Sequence, residues 1–376
     1  MAPLSTMNFI KNNKRHILAS VIAIVVAIVF LFNFECFIQS MISSSTFATG
    51  STFDKLISVS RMTDDAIPEN AVKAAENSSD IDRVMPAVIQ ATQYQMFGSG
   101  GGAMIFGLHS SDLPYFMKVN GTKLTQGRLP KSENEIALDI HVVKNEKVKI
   151  GSKIGNSVNS LDSLQGEYTV VGILQGSDCV SISGDPFTRV ADKTDDQLLQ
   201  NGYIAFPKKG KLAEAGDDLQ RFSSTSTKVY TKSYYFQQIN QTMGGIQILD
   251  EVAIMAVLVM AVCLVFAKYA QIYNRRNEFG ILGALGCSRQ SIMLRTFNEV
   301  AIVNFVSFII GLALAVLCSY LLIGGIFSKP GGIPVYIFPK AVLLSLLAPL
   351  FTTLFTLIPV FRMLGSVDPI AVIESA

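Results

Sequence analysis

The residue types that most often do chemistry in proteins are few and scattered in this chain of 376 residues. The three histidines, His16, His109 and His141, lie far apart and lack the short spacing typical of zinc ligands. Of the five cysteines, only Cys179 lies well inside the long polar segment between the first two apolar runs, so no disulfide can form there. Because no nucleophile–histidine pair or carboxylate pair can be assembled either, we expect no metal, no cofactor and no enzymatic activity in this chain.

Two stretches have compositions that suggest ligand binding. The glycine-rich run 98–102 could approach a phosphate, but a phosphate-binding loop needs Gly-Lys-Ser/Thr at a helix start, and these are absent. We therefore predict a turn between two strands. Tyr234 and Tyr235 precede an apolar run that contains Met255 and Met260, and both residue types can ligate haem iron. Aromatic residues at a membrane boundary are more often anchors, so both interpretations of the tyrosines stay open.

The stretch RRNEFGILGALGCSRQSI, residues 275–292, has an unusual glycine pattern. Gly280, Gly283 and Gly286 recur every third residue, which predicts a smooth stripe on one side of a helix. Each interior glycine costs a helix about 1 kcal/mol relative to alanine, so close packing must offset that loss. The surface that packs there is either a cytoplasmic partner protein or another helix of the same chain.

The ends of this helix also have sequence signals. Asn274 or Asn277 is expected to cap its start, with Glu278 favourably placed in the first turn. Gly286 is expected to end it in the left-handed conformation. Phe279, Leu282 and Leu285 form an apolar ridge beside the glycines.

Long apolar runs show that this is a membrane protein. Hydrophobic residues make up 49% of the chain and charged residues only 16%, where about a quarter is usual in soluble proteins. Four runs approach or exceed the roughly 20 residues that a helix needs to cross the hydrocarbon layer. Basic residues, among them Lys11, Arg275, Arg295 and Arg362, flank the spans on one side and place both termini in the cytoplasm.

The segment between spans one and two is predicted to be an α+β domain. Strand-like and helical stretches alternate in it, and residues 177–201 are expected to be a loop. The predicted division is a cytoplasmic N-terminus (1–16), span one (17–41), the extracytoplasmic domain (42–245), span two (246–268), a cytoplasmic loop (269–297), span three (298–323), an external loop (324–338), span four (339–361) and a cytoplasmic tail (362–376). The helix that leads into span two either transmits motion or is a simple stalk. In span three, Asn304 is expected to bond a neighbouring helix.

Residues 275–315 resemble the cytoplasmic loop and third span of the FtsX/MacB/LolC-type permeases of ATP-binding-cassette (ABC) systems. Their pattern is a basic residue, then Glu-(Ile/Phe)-Gly-(Ile/Leu)-x-(Arg/Lys)-Ala-(Leu/Ile)-Gly, with a glutamate before span three. The matching residues are Arg276, Glu278, Phe279, Gly280, Ile281, Ala284, Leu285, Gly286 and Glu299. Gly283 departs, since the family usually has a basic residue there.

A second resemblance lies in the domain between spans one and two. GRLPKSENEIALD, followed by VKIGSKIG and YTVVGIL, is similar to the extracytoplasmic core of MacB-like permeases. The residues that carry the similarity are Gly127, Arg128, Pro130, Glu135, Ile136 and Gly151. Together with the one-plus-three order of spans, the two resemblances cover essentially the whole chain.

The resemblance implies a division of labour among several proteins. Two copies of a separate ABC ATPase, which bind ATP and Mg²⁺, would dock on a coupling helix within residues 274–286. The permease would pair with a second copy or a paralogue, and a membrane-fusion, substrate-binding or signalling protein could join them. No nucleic-acid partner is expected. Movement of the outer domain would then export or extract an amphiphilic substrate such as an antimicrobial peptide, a drug, a lipid or haem.

A second class of function remains open on the same resemblance. The assembly could be a regulatory device that activates a cell-wall hydrolase or a sensor without transporting anything. The similarity of the outer domain to MacB-like cores favours the transport interpretation, because the outer domains of the cell-division relatives are usually smaller.

Overall fold

The computed structural model describes residues 14–96, 99–186, 195–242 and 244–366. Some features predicted from the sequence lie outside these residues: Lys11, which contributes to the predicted orientation, Gly98 in the glycine-rich run, and the end of the cytoplasmic tail. Residue 243, in the helix predicted to lead into span two, is also outside them.

The described helices in chain order are α1 Lys14–Gly50, α2 Glu69–Glu76, α3 Leu113–Val119, α4 Ile140–Glu146, α5 Asp195–Leu199, α6 Leu212–Gln220, α7 Lys232–Thr242, α8 Gly244–Tyr273, α9 Arg276–Ala284, α10 Arg289–Ser328 and α11 Pro339–Ser366. The described strands are β1 Ile57–Arg61, β2 Ile81–Met96, β3 Ser99–Leu108, β4 Lys123–Gly127, β5 Glu135–Asp139, β6 Lys153–Ile154, β7 Tyr168–Gln175, β8 Ser181–Ser183, β9 Gly202–Pro207 and β10 Thr227–Tyr230.

Four of these helices, α1, α8, α10 and α11, are long and apolar enough to cross a membrane. Between α1 and α8 lies a domain of strands and short helices, so the predicted fold class, one span, an α+β domain and three further spans, is confirmed. Helices are the expected solution, because a helix satisfies its own backbone hydrogen bonds where no water is available. The residues at which the bilayer begins and ends on each span stay predictions.

The chain divides into two compact units. The membrane unit comprises residues 1–39, 245–325 and 335–376, and the inserted domain comprises residues 40–244 and 326–334. Within the membrane unit, Asn304 Nδ2 donates to Pro349 O at 3.2 Å and to Thr353 Oγ1 at 2.8 Å. This confirms that Asn304 bonds a neighbouring helix, here α11.

The inserted domain is built on a mixed sheet of ten described strands. Their order is β10-β1-β9-β2-β3-β8-β5-β7-β4, and β6 pairs with β7. The predicted hairpin is formed by β2 and β3, which pair antiparallel. The pairing begins with Ala87 opposite Leu108 and ends with Met96 opposite Ser99. Two hydrophobic clusters cover different parts of the sheet: Ile57, Val59, Tyr203 and Val229 belong to one, and Phe53, Phe106, Phe116 and Leu174 to the other. The long β2 contributes Ile81 to the first cluster and Met85 to the second, so it links the two cores.

The position predicted for the turn between β2 and β3 was wrong for three of its glycines. Residues 100–102 lie inside β3 and pair with residues 95, 94 and 93 of β2. The sixteen-residue β2 needs a partner along its length to satisfy its backbone groups, and this requirement draws the glycines into the ladder. Glycine also fits the space, because a Cβ on Gly102 would lie only 2.8 Å from Ala91 Cβ.

The loop predicted for residues 177–201 was also partly wrong. It contains β8, which pairs parallel with β3 and antiparallel with β5, and it contains α5. A three-residue strand is too short for its alternation of side chains to be recognised. Its place between β3 and β5 depends on contacts that are distant in sequence.

The segment 326–334, which comprises the last residues of α10 and part of the link to α11, packs within the inserted domain. Tyr94 donates its hydroxyl to Gly331 O at 2.9 Å, and Asn145 Nδ2 donates to Pro330 O at 3.0 Å. The backbone N–H of Ile333 donates to Ser44 Oγ at 2.9 Å. A stretch predicted to be a short external loop is therefore held by the domain through specific hydrogen bonds.

Gly331 leaves no room for a side chain in this segment. Its φ is 78°, and a Cβ placed there would overlap the backbone carbonyl of His141. We expect Gly331→Ala to destabilise the inserted domain by about 1 kcal/mol for the left-handed backbone and by a further 1–3 kcal/mol or so for the overlap. Thermal unfolding of the purified chain measures this loss.

Gly210→Ala is the matched control for Gly331→Ala. Gly210 has a φ of 82° but no neighbour within 4 Å of a Cβ, so only the backbone cost applies. Equal losses in the two variants would show that segment 326–334 is not held against α4.

Candidate functional site

The short helix α9 lies between the two spans α8 and α10, and its ends are fixed by the backbone. Arg275 occupies the N-cap position and no side chain caps the helix, so the capping role predicted for Asn274 or Asn277 was wrong. Glu278 lies in the first turn, where its charge favours the positive end of the helix dipole. The start of α9 is set by the preceding span and by the ion pairs of Arg275, described below.

At the other end, Gly286 stops the helix in the left-handed conformation, as predicted. Its φ is 87°, its N–H donates to Gly283 O at 3.0 Å, and the N–H of Cys287 donates to Leu282 O at 3.1 Å. These two bonds form a Schellman motif, which satisfies the last carbonyls of a helix. Gly286 therefore lies beyond the helix, and only Gly280 and Gly283 of the predicted stripe belong to α9.

One side of α9 is buried against the spans of the same chain. Phe279 is 4% exposed and clusters with Ile272 of α8 and with Ile292 and Val300 of α10. Gly280 beside it is buried as well. Of the two glycines in α9, Gly280 is therefore buried within the chain, whereas Gly283 is only partly buried.

The other side of α9 is not covered by any residue that the structure describes. Ile281 is 51% exposed and Leu285 is 76% exposed, and Ala284 between them is exposed too. Arg276 and Glu278 are exposed near the start of the helix. Apolar residues rimmed by charges are typical of protein-binding surfaces, so we call Ile281, Ala284 and Leu285 the exposed patch of α9.

A network of ion pairs ties the start of α9 to α10. Glu299 is nearly buried, with a side chain 6% exposed, and it accepts from Arg275 Nη1 at 3.0 Å and from Arg295 Nε at 3.2 Å. Arg275 also donates to Glu278 at 3.1 Å. Both oxygens of Glu299 are used, and charge-assisted bonds of this kind are stronger than neutral ones. Glu299 thus positions α9 through Arg275.

The predicted motif of the inserted domain forms a second cluster. Arg128 Nη1 and Nη2 donate to the two carboxylate oxygens of Glu135 at 2.6 and 2.5 Å. Glu135 also accepts from the backbone N–H groups of Lys131 at 2.9 Å and Ser132 at 3.4 Å. The bond from Arg128, followed by that from the Lys131 backbone, lowers the pKa of Glu135 to about 2.

The two glycines of the motif, Gly127 and Gly151, lie against β7 close to the loop that Arg128 and Glu135 close. Gly127 has a φ of 76°, and a Cβ there would overlap the carbonyl of Val171 on β7. Gly151 has a φ of 89°, and its N–H donates to Val170 O at 2.7 Å. Pro130 follows in the loop that Arg128 and Glu135 close. The motif therefore holds β4, β5 and the connecting loop against β7, which is a structural role.

The two tyrosines considered as haem ligands lie in the inserted domain. Tyr235 is 8% exposed, stacks on Phe53 with ring centroids 4.1 Å apart, and places its hydroxyl 3.9 Å from Met104 Sδ. Burial raises its pKa, which disfavours the tyrosinate that binds iron. Tyr234 is partly buried, with Lys228 Nζ 5.1 Å from its ring centroid. Among the described residues there is no group of three or more His, Cys, Asp or Glu side chains that could hold a metal.

The C-terminal part of the chain is similar to a known protein family. Residues 252–369 match the family described as "FtsX-like permease C-terminal". This part of the chain is therefore similar to FtsX-like permeases, and we refer to residues 252–369 as the FtsX-like domain. Such domains are permease components of ABC transporters, and they are generally not catalytic themselves. No curated protein sequence is significantly similar to the chain.

The inserted domain has distant similarities among solved structures. The periplasmic region of MacB from Actinobacillus actinomycetemcomitans is 13% identical, with a TM-score of 0.27, and the match covers 53% of this chain and 98% of that one. The extracellular domain of the ABC-type transporter YknZ from Gram-positive bacteria is 11% identical, with a TM-score of 0.26. That match covers 47% of this chain and 100% of the YknZ domain. Similarities this low carry no argument about function, which rests on the FtsX-like domain.

Within the FtsX-like domain, the structure brings Glu278 and Glu299 together through one arginine that the predicted site did not include. Arg275 was noted only for its charge, because its partner Glu299 is 24 residues away and on another helix. Lys268 is a second residue that the predicted site did not include. It lines a cavity beside the network, and the apolar period of α8 gives no sign of that.

Substitution of Glu299 tests whether the network positions α9. Glu299→Gln should lower the free energy of unfolding by about 1–3 kcal/mol, because it leaves Arg295 without its carboxylate and Arg275 with Glu278 alone. Glu278→Gln is the control in the same network: its side chain is 56% exposed and has one partner, so its loss should stay below about 1 kcal/mol. Thermal unfolding in detergent measures both, and equal small losses would exclude a central role for Glu299.

The pH dependence of stability tests the Arg128–Glu135 clasp. The folded-state pKa of Glu135 lies below its ordinary value of 4.5, so its stabilisation is present above about pH 4.5 and is lost as the pH falls towards about 2. The difference in thermal stability between wild type and Glu135→Gln should therefore be constant near neutral pH and shrink below about pH 4.5. Glu167→Gln, which removes one exposed contact to Lys153, should show a small difference throughout. A Glu135→Gln difference that does not change with pH would contradict the assignment.

Proposed function

We propose that this protein is the permease subunit of an ABC transporter, and that α9 is the helix on which a separate ATPase subunit docks. The observation that carries the proposal is the exposed patch of α9, which lies in the FtsX-like domain. The patch is apolar and exposed although the opposite side of the same helix is packed through Phe279. A nine-residue helix does not form stably by itself, so its packing and ion pairs hold the patch in place for a partner.

Rigid attachment is what a coupling element requires. Phe279 anchors α9 in the cluster formed by α8 and α10, and Arg275 bonds Glu299 of α10. A push on α9 is therefore passed directly to spans two and three. Two ATPase copies would bind ATP and Mg²⁺ beneath a pair of permeases, and the termini would lie on the same, cytoplasmic side.

The chain connections support movement of the inserted domain as the output. The backbone passes between the membrane unit and the inserted domain after residues 39, 244, 325 and 334. α1 is one continuous helix from Lys14 to Gly50, and so it runs through the first of these points. Segment 326–334 links the domain to α10 and α11 as well. Every span is thus joined covalently to the domain, which favours mechanical work on an amphiphilic substrate.

The exposed patch can be tested with one substitution and a closely matched control. Leu285→Asp should reduce the amount of ABC ATPase that co-purifies with the tagged chain at least about tenfold, since a buried interface leucine would become a charge. Leu161→Asp changes a leucine of the inserted domain that is 77% exposed, against 76% for Leu285, and should leave the ATPase bound. Quantitative mass spectrometry of the purified complexes gives both values.

Retention of the ATPase by the Leu285→Asp variant would exclude α9 as the docking helix. If a cell-wall hydrolase or a sensor kinase co-purifies with wild type and no ATPase does, the regulatory function replaces the transport function.

A further inference from the structure

A cavity of about 280 Å³ lies in the membrane unit, where the ends of α1, α8 and α10 meet the start of α9. It is smaller than the roughly 300–1,000 Å³ of pockets that enclose a drug-sized ligand. It suits a headgroup rather than a whole amphiphile. Its lining residues are Ile17, Lys268, Gln271, Ile272, Asn274, Arg275, Glu278, Thr296, Glu299, Val300 and Val303.

Lys268 distinguishes this cavity from an ordinary gap between helices. The residue is only 7% exposed, yet it makes no hydrogen bond or ion pair with any residue that the structure describes. A buried ammonium group is costly to leave unpaired. The carboxylates that line the cavity are paired with other residues: Glu299 binds Arg275 and Arg295, and Glu278 binds Arg275.

The charge balance around the cavity is therefore positive. Arg275 and Arg295 are matched by Glu278 and Glu299, two cations against two anions. Lys268 remains as one uncompensated positive charge. No other aspartate or glutamate among the described residues lines the cavity. The group that fits is an anion that the described residues do not supply.

The lining of the cavity also changes from polar to apolar along the helices, as in a site at a membrane interface. Gln271, Asn274 and Arg275 lie towards the end of α8 and the turn after it, whereas Val300 and Val303 lie farther along α10 than Glu299. An amphiphile placed here would meet polar groups at the membrane surface and apolar groups deeper in. Free phosphate would gain nothing from the apolar part.

We propose that this cavity binds the phosphate of an anionic phospholipid headgroup, with the Lys268 ammonium as its charged donor. Basic pockets between membrane helices bind such headgroups by the same combination of charge and position. The acyl chains would run along the outside of the spans, where Leu18 and Phe266 expose more than half of their surface. The site borders Arg275 and Glu278, so the lipid would also support the start of α9. This inference does not depend on an ATPase partner.

The test uses the full chain, purified in detergent and stripped of lipid, with thermal unfolding as the readout. Short-chain phosphatidylglycerol is the probe, and short-chain phosphatidylcholine and inorganic phosphate are the comparison ligands. Phosphatidylglycerol should raise the melting temperature of wild type, and the two comparison ligands should do so much less. Lys268→Gln should weaken the apparent affinity for phosphatidylglycerol at least about tenfold, as expected for losing one charge-assisted hydrogen bond.

Two further variants make the result specific to the cavity. Arg289→Gln removes an exposed positive charge at the first residue of α10, outside the cavity, and should leave the affinity unchanged. Lys268→Arg keeps the charge and should retain most of the affinity. Without lipid, Lys268→Gln should be at least as stable as wild type, because it removes a charge that has no partner.

Three outcomes would overturn the proposal. Equal affinities of wild type and Lys268→Gln for phosphatidylglycerol would exclude Lys268 as the donor. A full stabilisation by inorganic phosphate alone would exclude a lipid as the occupant. A lower stability of lipid-free Lys268→Gln than of lipid-free wild type would show that the ammonium already has a partner in the chain.

Discussion

An ionised side chain inside a membrane-spanning helix is costly unless an opposite charge or hydrogen bonds neutralise it, and this constraint organises the membrane unit. Glu35 of α1 is 2% exposed and pairs with Lys340 at the start of α11, with 2.6 Å between Oε1 and Nζ. Near the other end of the spans, Glu299 of α10 holds Arg275 and Arg295. The few charges that the spans carry thus connect elements that are far apart in sequence, and they fix the spans to one another at both ends.

The same constraint explains why a helix as short as α9 is ordered. Its first turn is held by Arg275, which must stay beside Glu299 because that carboxylate is buried. Its middle is held by Phe279, which removes an aromatic ring from water. Its end is held by the backbone bonds around Gly286. These three restraints fix the orientation of α9, in which the exposed patch faces away from the described spans that hold the helix.

Features that depend on neighbouring residues in the sequence could be predicted, and features that depend on distant residues could not. The four spans and the β2–β3 hairpin are encoded in local hydrophobic patterns, and the end of α9 is encoded in a single glycine. The strand β8 and the packing of segment 326–334 depend on partners in β3, β5 and β2 that are distant in sequence. No local pattern contains that information. The cap of α9 failed for a related reason: an asparagine is favoured at a free helix start, whereas this start is set by a buried ion pair.

The same distinction between local and distant interactions applies to the candidate site. The residues of α9 could be picked out from their spacing and from a resemblance, but their separation into a buried and an exposed side could not, because it depends on where α8 and α10 lie. Arg128 and Glu135 were found as a motif, and only their two short hydrogen bonds show that the motif closes a loop. A motif in a sequence marks residues that act together, and the structure decides whether they act on the fold or on a ligand.

Lys268 is informative because it departs from the rule that the other charges obey. Glu35 and Glu299 are each paired with at least one cation of the same chain. The ammonium of Lys268 lies within the same unit and has no such partner among the described residues. Any anion that binds the folded state and not the unfolded one stabilises the fold in proportion to its occupancy. The stability of this end of the membrane unit is then a property of the chain together with the lipid around it, and the start of α9 shares in that dependence through Arg275.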